Sequence, residues 1–252
     1  MKISIRSIGD GMPLVLLHAF PLNHRMFINV DVPGHQLLLP DFPGFGTNAP
    51  EETDFTLMMV AEALKAALDA WLTNNEPIVL GGISMGGYLA FEFLRKYPDK
   101  VSKMILISTK TGADSLDAKA TRLAMAEKVL EDGIEYLPGV LIPGLLGETT
   151  LINRQNIVKK VKDLILMANP PAVAGAQKAM ACRRDQRGYL SQIKIPTLVI
   201  AGAEDKLILL TEAKDMAQRI PKSELMIIKD AGHLVPMESP YEFSKLLTCF
   251  LC

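Results

Sequence analysis

Six short, unbroken apolar runs, PLVLL, HQLLLP, PIVLGG, KMILIST, PTLVIAG and ELMIIKD, constrain the fold of this chain most. Each is bounded by Gly, Pro or charge, the pattern of strands covered on both faces. Between several of them lie helical stretches: DFTLMMVAEALKAALDAWL, MGGYLAFEFLRKY, TEAKDMAQRI and SPYEFSKLLTCFL. In the last, Ser239, Pro240 and Glu242 read as N-cap, first-turn proline and capping-box acid. Ahead of the first run, KISIRSI alternates apolar and polar as a half-exposed edge strand does. Strand alternating with helix implies right-handed crossovers and an α/β fold. Its mostly parallel central sheet carries helices on both faces, and ligand chemistry belongs at the carboxyl ends of the strands.

One stretch breaks the rhythm. From Thr111 to Gln192 there is no strand pattern, only helical sequence such as AKATRLAMAEKVLEDGIEYL, separated by PGVLIPGLLGETT and NPPAVAG. It leaves after ILIST and returns before IKIPTLVIAG. Residues 111–192 are therefore expected to form a helical lid inserted into a core made of residues 1–110 and 193–252. A chain of 252 residues is long enough for one such core with its lid.

The chemistry-bearing positions fall at the ends of the apolar runs. Gly82-Ile83-Ser84-Met85-Gly86 fits G-x-S-x-G between a buried strand and a helix. At such a junction the chain reverses within about one residue, and Gly82 and Gly86 remove side chains that would collide. Ser84 then projects above the sheet, and the Met85 N–H points to where an oxyanion would form. The same letters also suit a glycine-rich turn in which the serine is only a cap.

A serine nucleophile needs a base, and the base needs an orienting carboxylate. Of four histidines, His18, His24, His35 and His233, the last lies in a loop straight after the LMII strand. The preceding strand, in TLVIAGAEDKLI, offers Asp205 with Glu204 beside it; Asp205 is favoured and Glu204 is expected to face solvent. HAFPLN, after LVLL, offers the Phe20 N–H as a second oxyanion donor. His18 in that loop, and Asp41 in DFPGFG, read as structural groups.

Charge narrows the partners. With 27 basic and 28 acidic residues and a formal charge of −1, no long-range field recruits nucleic acid or an anionic membrane. A small, neutral or weakly charged substrate suits that balance. No run of about eighteen apolar residues suggests a membrane span, and no signal peptide is evident at the start. Cys182, Cys249 and Cys252 have neither metal-ligand nor C-x-x-C spacing, so reduced thiols in a cytoplasmic protein are expected.

Together LLHAFPLNHRMF, LLLPDFPGFG, GGISMGGYLAF, IPTLVIAGAEDKL and AGHLVPMESPYEF, in that order, resemble the α/β-hydrolase superfamily over nearly the whole chain outside the inserted segment. They look most like the branch of small carboxylesterases, β-ketoadipate enol-lactonases and cofactor-free haloperoxidases. That resemblance implies an α/β-hydrolase fold and cleavage of a small-molecule ester or lactone through an acyl-enzyme, with no cofactor and no metal. It implies Ser84 as nucleophile, Asp205 as acid, His233 as base, and Phe20 and Met85 as oxyanion donors. Two departures bear on substrate choice rather than on the triad: Ala19 where many relatives have glycine, and Ile83 where many have histidine. A serine at 84 disfavours the dehalogenases and epoxide hydrolases of this fold. The same triad would also serve perhydrolysis, and a low-turnover ligand receptor on this fold is the alternative of a different class.

For the pocket, Met125, Leu141, Ile142, Leu145, Leu146 and Met167 of the inserted segment are candidates to line an acyl or alcohol site, although packing between lid and core uses the same residue types. ACRRDQR offers Arg183 or Arg184 for a substrate carboxylate such as an enol-lactone carries; a basic cluster near a helix end also sits readily in solvent.

Overall fold

The computed structural model describes residues 1–48, 54–72 and 77–252. Among them seven strands form one sheet: β1 (Ile5–Ile8), β2 (Met12–Leu17), β3 (His35–Pro40), β4 (Ile78–Ile83), β5 (Val101–Ile107), β6 (Thr197–Gly202) and β7 (Ser223–Ile228). Their spatial order is β1-β3-β2-β4-β5-β6-β7; β1 alone runs antiparallel. All six apolar runs and the alternating run thus become strands. Every residue of β4 and β6 is buried, which requires cover on both faces of the sheet and accounts for their unbroken apolar sequence.

One expectation fails at the far edge. β7 reads as a covered strand, but as the last strand it leaves Met226 and Ile227 exposed.

The connections are helical. α1 (Leu57–Trp71) joins β3 to β4, and the Thr56 side chain caps it by accepting from Met59 N–H at 3.2 Å. α2 (Met85–Lys96) joins β4 to β5 and packs on α1. Five helices lie between β5 and β6: α3 (Leu116–Asp132), α4 (Leu137–Leu145), α5 (Glu148–Asn153), α6 (Gln155–Leu166) and α7 (Pro170–Ala181). α8 (Leu210–Arg219) joins β6 to β7, and α9 (Val235–Glu238) runs into α10 (Pro240–Leu251).

Inside the excursion between β5 and β6 the helix boundaries differ from expectation. The stretch AKATRLAMAEKVLEDGIEYL is not one helix: α3 stops at Gly133, whose φ of 80° is open to glycine and not to the side chains around it. The supposed separators are partly helix. α4 spans PGVLIPGL with Pro143 inside it, and NPPAVAG is the cap and first turns of α7, where proline at the first helical position gives up no intrahelical bond. Ser239 does not act as a side-chain cap for α10. It is also the C-cap of α9, where its N–H donates to Val235 O, and its hydroxyl makes no cap bond.

The excursion is fastened to the core where α4 meets α5. Gly147 N–H donates to Glu238 Oε2 at 2.9 Å, and Thr149 N–H and hydroxyl donate to Glu204 at 2.8 and 2.5 Å. Arg154 Nη1 donates to the carbonyls of Asp230 and Glu238. Among the described residues no helix is long and apolar enough to cross a membrane.

Candidate active site

The parallel register brings the carboxyl ends of β2, β4 and β5 level, with Leu17 opposite Gly82 and Ile83 opposite Ile107. The loops that follow these strands, with those after β6 and β7, supply Phe20, Ser84, Lys110, Asp205 and His233. This is the sheet edge where chemistry is expected in an α/β fold.

Ser84 stands between β4 and α2 with φ 53° and ψ −113°. That is a strained backbone for a residue with a side chain, and it persists because neighbours hold it. Its N–H donates to Ile107 O at 2.9 Å, and the Thr109 hydroxyl donates to its carbonyl at 2.9 Å. A Cβ on Gly82 would lie 2.2 Å from Gly86 O, and one on Gly86 would lie 2.2 Å from Leu17 O. Both would press a Cβ into backbone that cannot yield, so only glycine fits either position. The Thr109 hydroxyl is a part of this turn that the sequence pattern does not reveal.

His233 and Asp205 are buried side by side, Nδ1 to Oδ2 at 2.9 Å. The other carboxylate oxygen accepts from Leu207 N–H and Ile208 N–H, each at 2.9 Å. A carboxylate only accepts, so Nδ1 is the donor of this bond, and in the neutral ring the lone pair then lies on Nε2. Glu204, expected in solvent, is half-buried and occupied by Thr149; hydrogen bonds from that residue hold its carboxyl below the usual value. Its place next to Asp205 serves the attachment of α5.

Ser84, His233 and Phe20 border one cavity of about 430 Å³. Among the described residues neither the Phe20 nor the Met85 backbone N–H donates to a protein acceptor. Met85 is the first residue of α2, where an N–H has no intrahelical partner. The arrangement offers a hydroxyl, an imidazole oriented by a carboxylate, and two free amide donors, Phe20 N–H in the loop after β2 and Met85 N–H at the start of α2.

His18 accepts Phe42 N–H at Nε2 (2.9 Å) and donates from Nδ1 to Ala19 O (3.0 Å). Burial lowers its pKa from the ordinary 6.5. Asp41 accepts from His24 and from Thr47 N–H; burial pulls it upward, but the His24 bonds outweigh this and hold it low. Both hold loops in place.

Of the expected lining residues, Met125, Leu141 and Leu145 face the cavity, the last two one turn apart on α4. Ile142 and Leu146 also lie one turn apart, on the adjoining face, and are buried in packing instead. Met167 is exposed and does not border the cavity; its sulfur lies 3.7 Å from Arg25 Nη1. Arg183 is buried against Asp114 and Tyr88, and Arg184 is exposed 3.9 Å from Glu92. Neither borders the cavity. The arginine that does is Arg122, and its face was legible in principle: Ala118, Thr121, Arg122 and Met125 have i, i+3, i+4, i+7 spacing, and all four line the cavity.

Comparison with known proteins agrees with this geometry. Residues 12–240 match the family model described as alpha/beta hydrolase fold. The chain is 27% identical to the AB hydrolase superfamily protein YisY of Bacillus subtilis, over 99% of this chain and 95% of that one. It is similar to a thermophilic esterase from Thermogutta terrifontis, solved with malate bound: 36% identity, TM-score 0.95, 99% of this chain and 92% of that one. An N-acyl homoserine lactone degrading enzyme of known structure shares 27% identity with a TM-score of 0.82, over 98% of this chain and 96% of its own.

Proposed function

Because the chain belongs to the α/β-hydrolase family, we propose that it is a serine hydrolase cleaving a small carboxylic ester or lactone through an acyl-enzyme. The observation that carries this reading is Ser84, held at φ 53° above the sheet, sharing one cavity with a His233 whose Nδ1 is bound to Asp205 at 2.9 Å.

In this mechanism the Ser84 hydroxyl attacks the carbonyl carbon while His233 Nε2 takes its proton. Asp205 keeps the imidazole in the tautomer that leaves Nε2 free and stabilises the imidazolium that forms. The Phe20 and Met85 N–H groups receive the charge that develops on the carbonyl oxygen. His233 then gives the proton to the departing alcohol, and water attacking by the same route releases the acid and regenerates Ser84. The esterase and lactone-degrading activities of the two solved relatives support this bond class.

We further assign the excursion between β5 and β6, residues 111–192, as a lid whose α3 and α4 complete the substrate cavity. Exposed, unpaired Cys182, Cys249 and Cys252 suit a reducing compartment, and a cytoplasmic location is proposed on that ground.

The test is p-nitrophenol release from acetate, butyrate and octanoate esters across acid to mildly alkaline pH. Turnover should be lost in Ser84→Ala and in His233→Ala, and the wild-type rate should fall on acidification as the base takes up its proton. Ester turnover near the wild-type rate in Ser84→Ala would exclude the mechanism.

A further inference from the structure

The cavity beside Ser84 is unevenly charged. Lys110, Asp114 and Arg122 border it, and Arg183 lies behind Asp114. Both Asp114 oxygens are taken: Arg183 Nη2 reaches Oδ1 at 2.7 Å, Arg183 Nη1 reaches Oδ2 at 2.5 Å, and Arg122 Nε reaches Oδ2 at 2.6 Å. One negative charge therefore meets three positive ones. Arg183, buried and stacked 4.5 Å from the Tyr88 ring centroid, is the partner that neutralises it.

Arg122 and Lys110 are left over. Arg122 is fixed in place, with Nη1 donating to Gln177 Oε1 at 2.9 Å and lying 3.5 Å from the Met180 sulfur. Its Nη2 has no hydrogen-bond partner among the described residues. Lys110 Nζ lies 3.6 Å from Asp114 Oδ1, too far for a hydrogen bond, and among the described residues no second carboxylate lines the cavity. Lys110 also follows directly on Thr109, whose hydroxyl holds the Ser84 carbonyl, so the cationic groups and the serine border the same small space. Two cations bordering one partly enclosed cavity, with donors to spare, suit a carboxylate in charge and in hydrogen-bonding capacity. Met125, Leu141 and Leu145 supply an apolar wall for a short hydrocarbon spacer.

We propose that the cavity takes substrates bearing a free carboxylate besides the ester or lactone bond, and that Lys110 and Arg122 hold that carboxylate. This rests on the hydrolase reading of Ser84, and it moves the anion contact from the Arg183 and Arg184 of the sequence pattern to Lys110 and Arg122.

The probe pair is mono-p-nitrophenyl adipate and its ω-amide, equal in size and differing by one charge. In the wild type, kcat/KM for the acid should exceed that for the amide by about tenfold or more, the scale of a charge-assisted hydrogen bond. Lys110→Met should bring that ratio down severalfold. Arg122→Met should do the same, with Asp114 still paired to Arg183. A wild-type ratio at or below unity, with the amide turning over, overturns the proposal and leaves the hydrolase intact. If neither ester turns over, the acetate, butyrate and octanoate series decides on the hydrolase, and calorimetric titration of the wild type with adipate decides on the anion site. Binding that weakens in Lys110→Met sustains the anion site, and no binding at millimolar adipate removes it.

Discussion

Glu238→Ala should cost about 3–5 kcal/mol of folding stability. The Glu238 carboxylate is buried at the end of α9. Its Oε1 accepts from Gly232 N–H at 3.0 Å and Leu234 N–H at 3.1 Å, the two residues flanking His233; its Oε2 accepts from Gly147 N–H at 2.9 Å, the N-cap of α5. One side chain thus ties the His233 loop to the five-helix excursion, at a point so tight that a Cβ on Gly232 would lie 2.2 Å from Gly147 N. Each buried N–H left without an acceptor costs about 1–3 kcal/mol, and water entering the vacated space offsets part of the sum of three. Burial raises the Glu238 pKa above the ordinary 4.5 even though these N–H groups pull it down. A carboxyl raised in the folded state contributes most stability below its unfolded pKa, and that share is lost as pH rises through the folded value. The cost of the substitution should therefore be larger near pH 5 than near pH 8. Glu238→Gln should cost less, because Oε1 still serves Gly232 and Leu234 while only the Gly147 bond is lost. Urea unfolding followed by far-ultraviolet circular dichroism reads all of this; a Glu238→Ala loss below about 1 kcal/mol would refute the reasoning.

Three further outcomes are expected. Gly86→Ala sets a Cβ 2.2 Å from Leu17 O with only backbone to yield, so a loss above about 3 kcal/mol or failure to fold is expected, checked by thermal unfolding of the purified variant. Asp205→Asn should lower kcat about 10³–10⁴-fold with the fold intact, because an amide no longer enforces the Nδ1–H tautomer of His233; steady-state kinetics beside circular dichroism would show it, and a loss under about tenfold would count against the triad. His18, lowered by burial, must stay neutral to accept Phe42 N–H. Its share of stability is complete above its unfolded pKa of about 6.5 and is lost as pH falls from there toward the folded value, so urea midpoints should drop on acidification and drop less in His18→Gln.

The strands were legible because burial on both faces writes itself as an unbroken apolar run, as in β4 and β6. β7 has the same lettering but sits at the edge, and no local pattern distinguishes the last strand from an inner one. Ser84, Asp205 and His233 could be placed at one sheet edge because each follows directly on a recognisable strand. The helices between β5 and β6 were harder to read. Proline marks both a stop and a start, so Pro170 opens α7 where a separator was expected, and Pro143 lies inside α4. Pocket residues were half visible, since apolar letters alone do not tell Leu141 and Leu145 from Ile142 and Leu146. The stripe of α3 that carries Arg122 was legible, but its partners were not: Asp114, Gln177 and Arg183 come together around it only when α3 packs along α7.

Whether Ser84 carries a covalent intermediate is tested most directly by intact-protein mass spectrometry after brief exposure to a fluorophosphonate, with peptide mapping and Ser84→Ala alongside. One adduct per chain, mapped to Ser84 and absent from Ser84→Ala, is the predicted result. Ester turnover by a wild type that takes up no adduct, or an adduct that persists in Ser84→Ala, would contradict the serine mechanism.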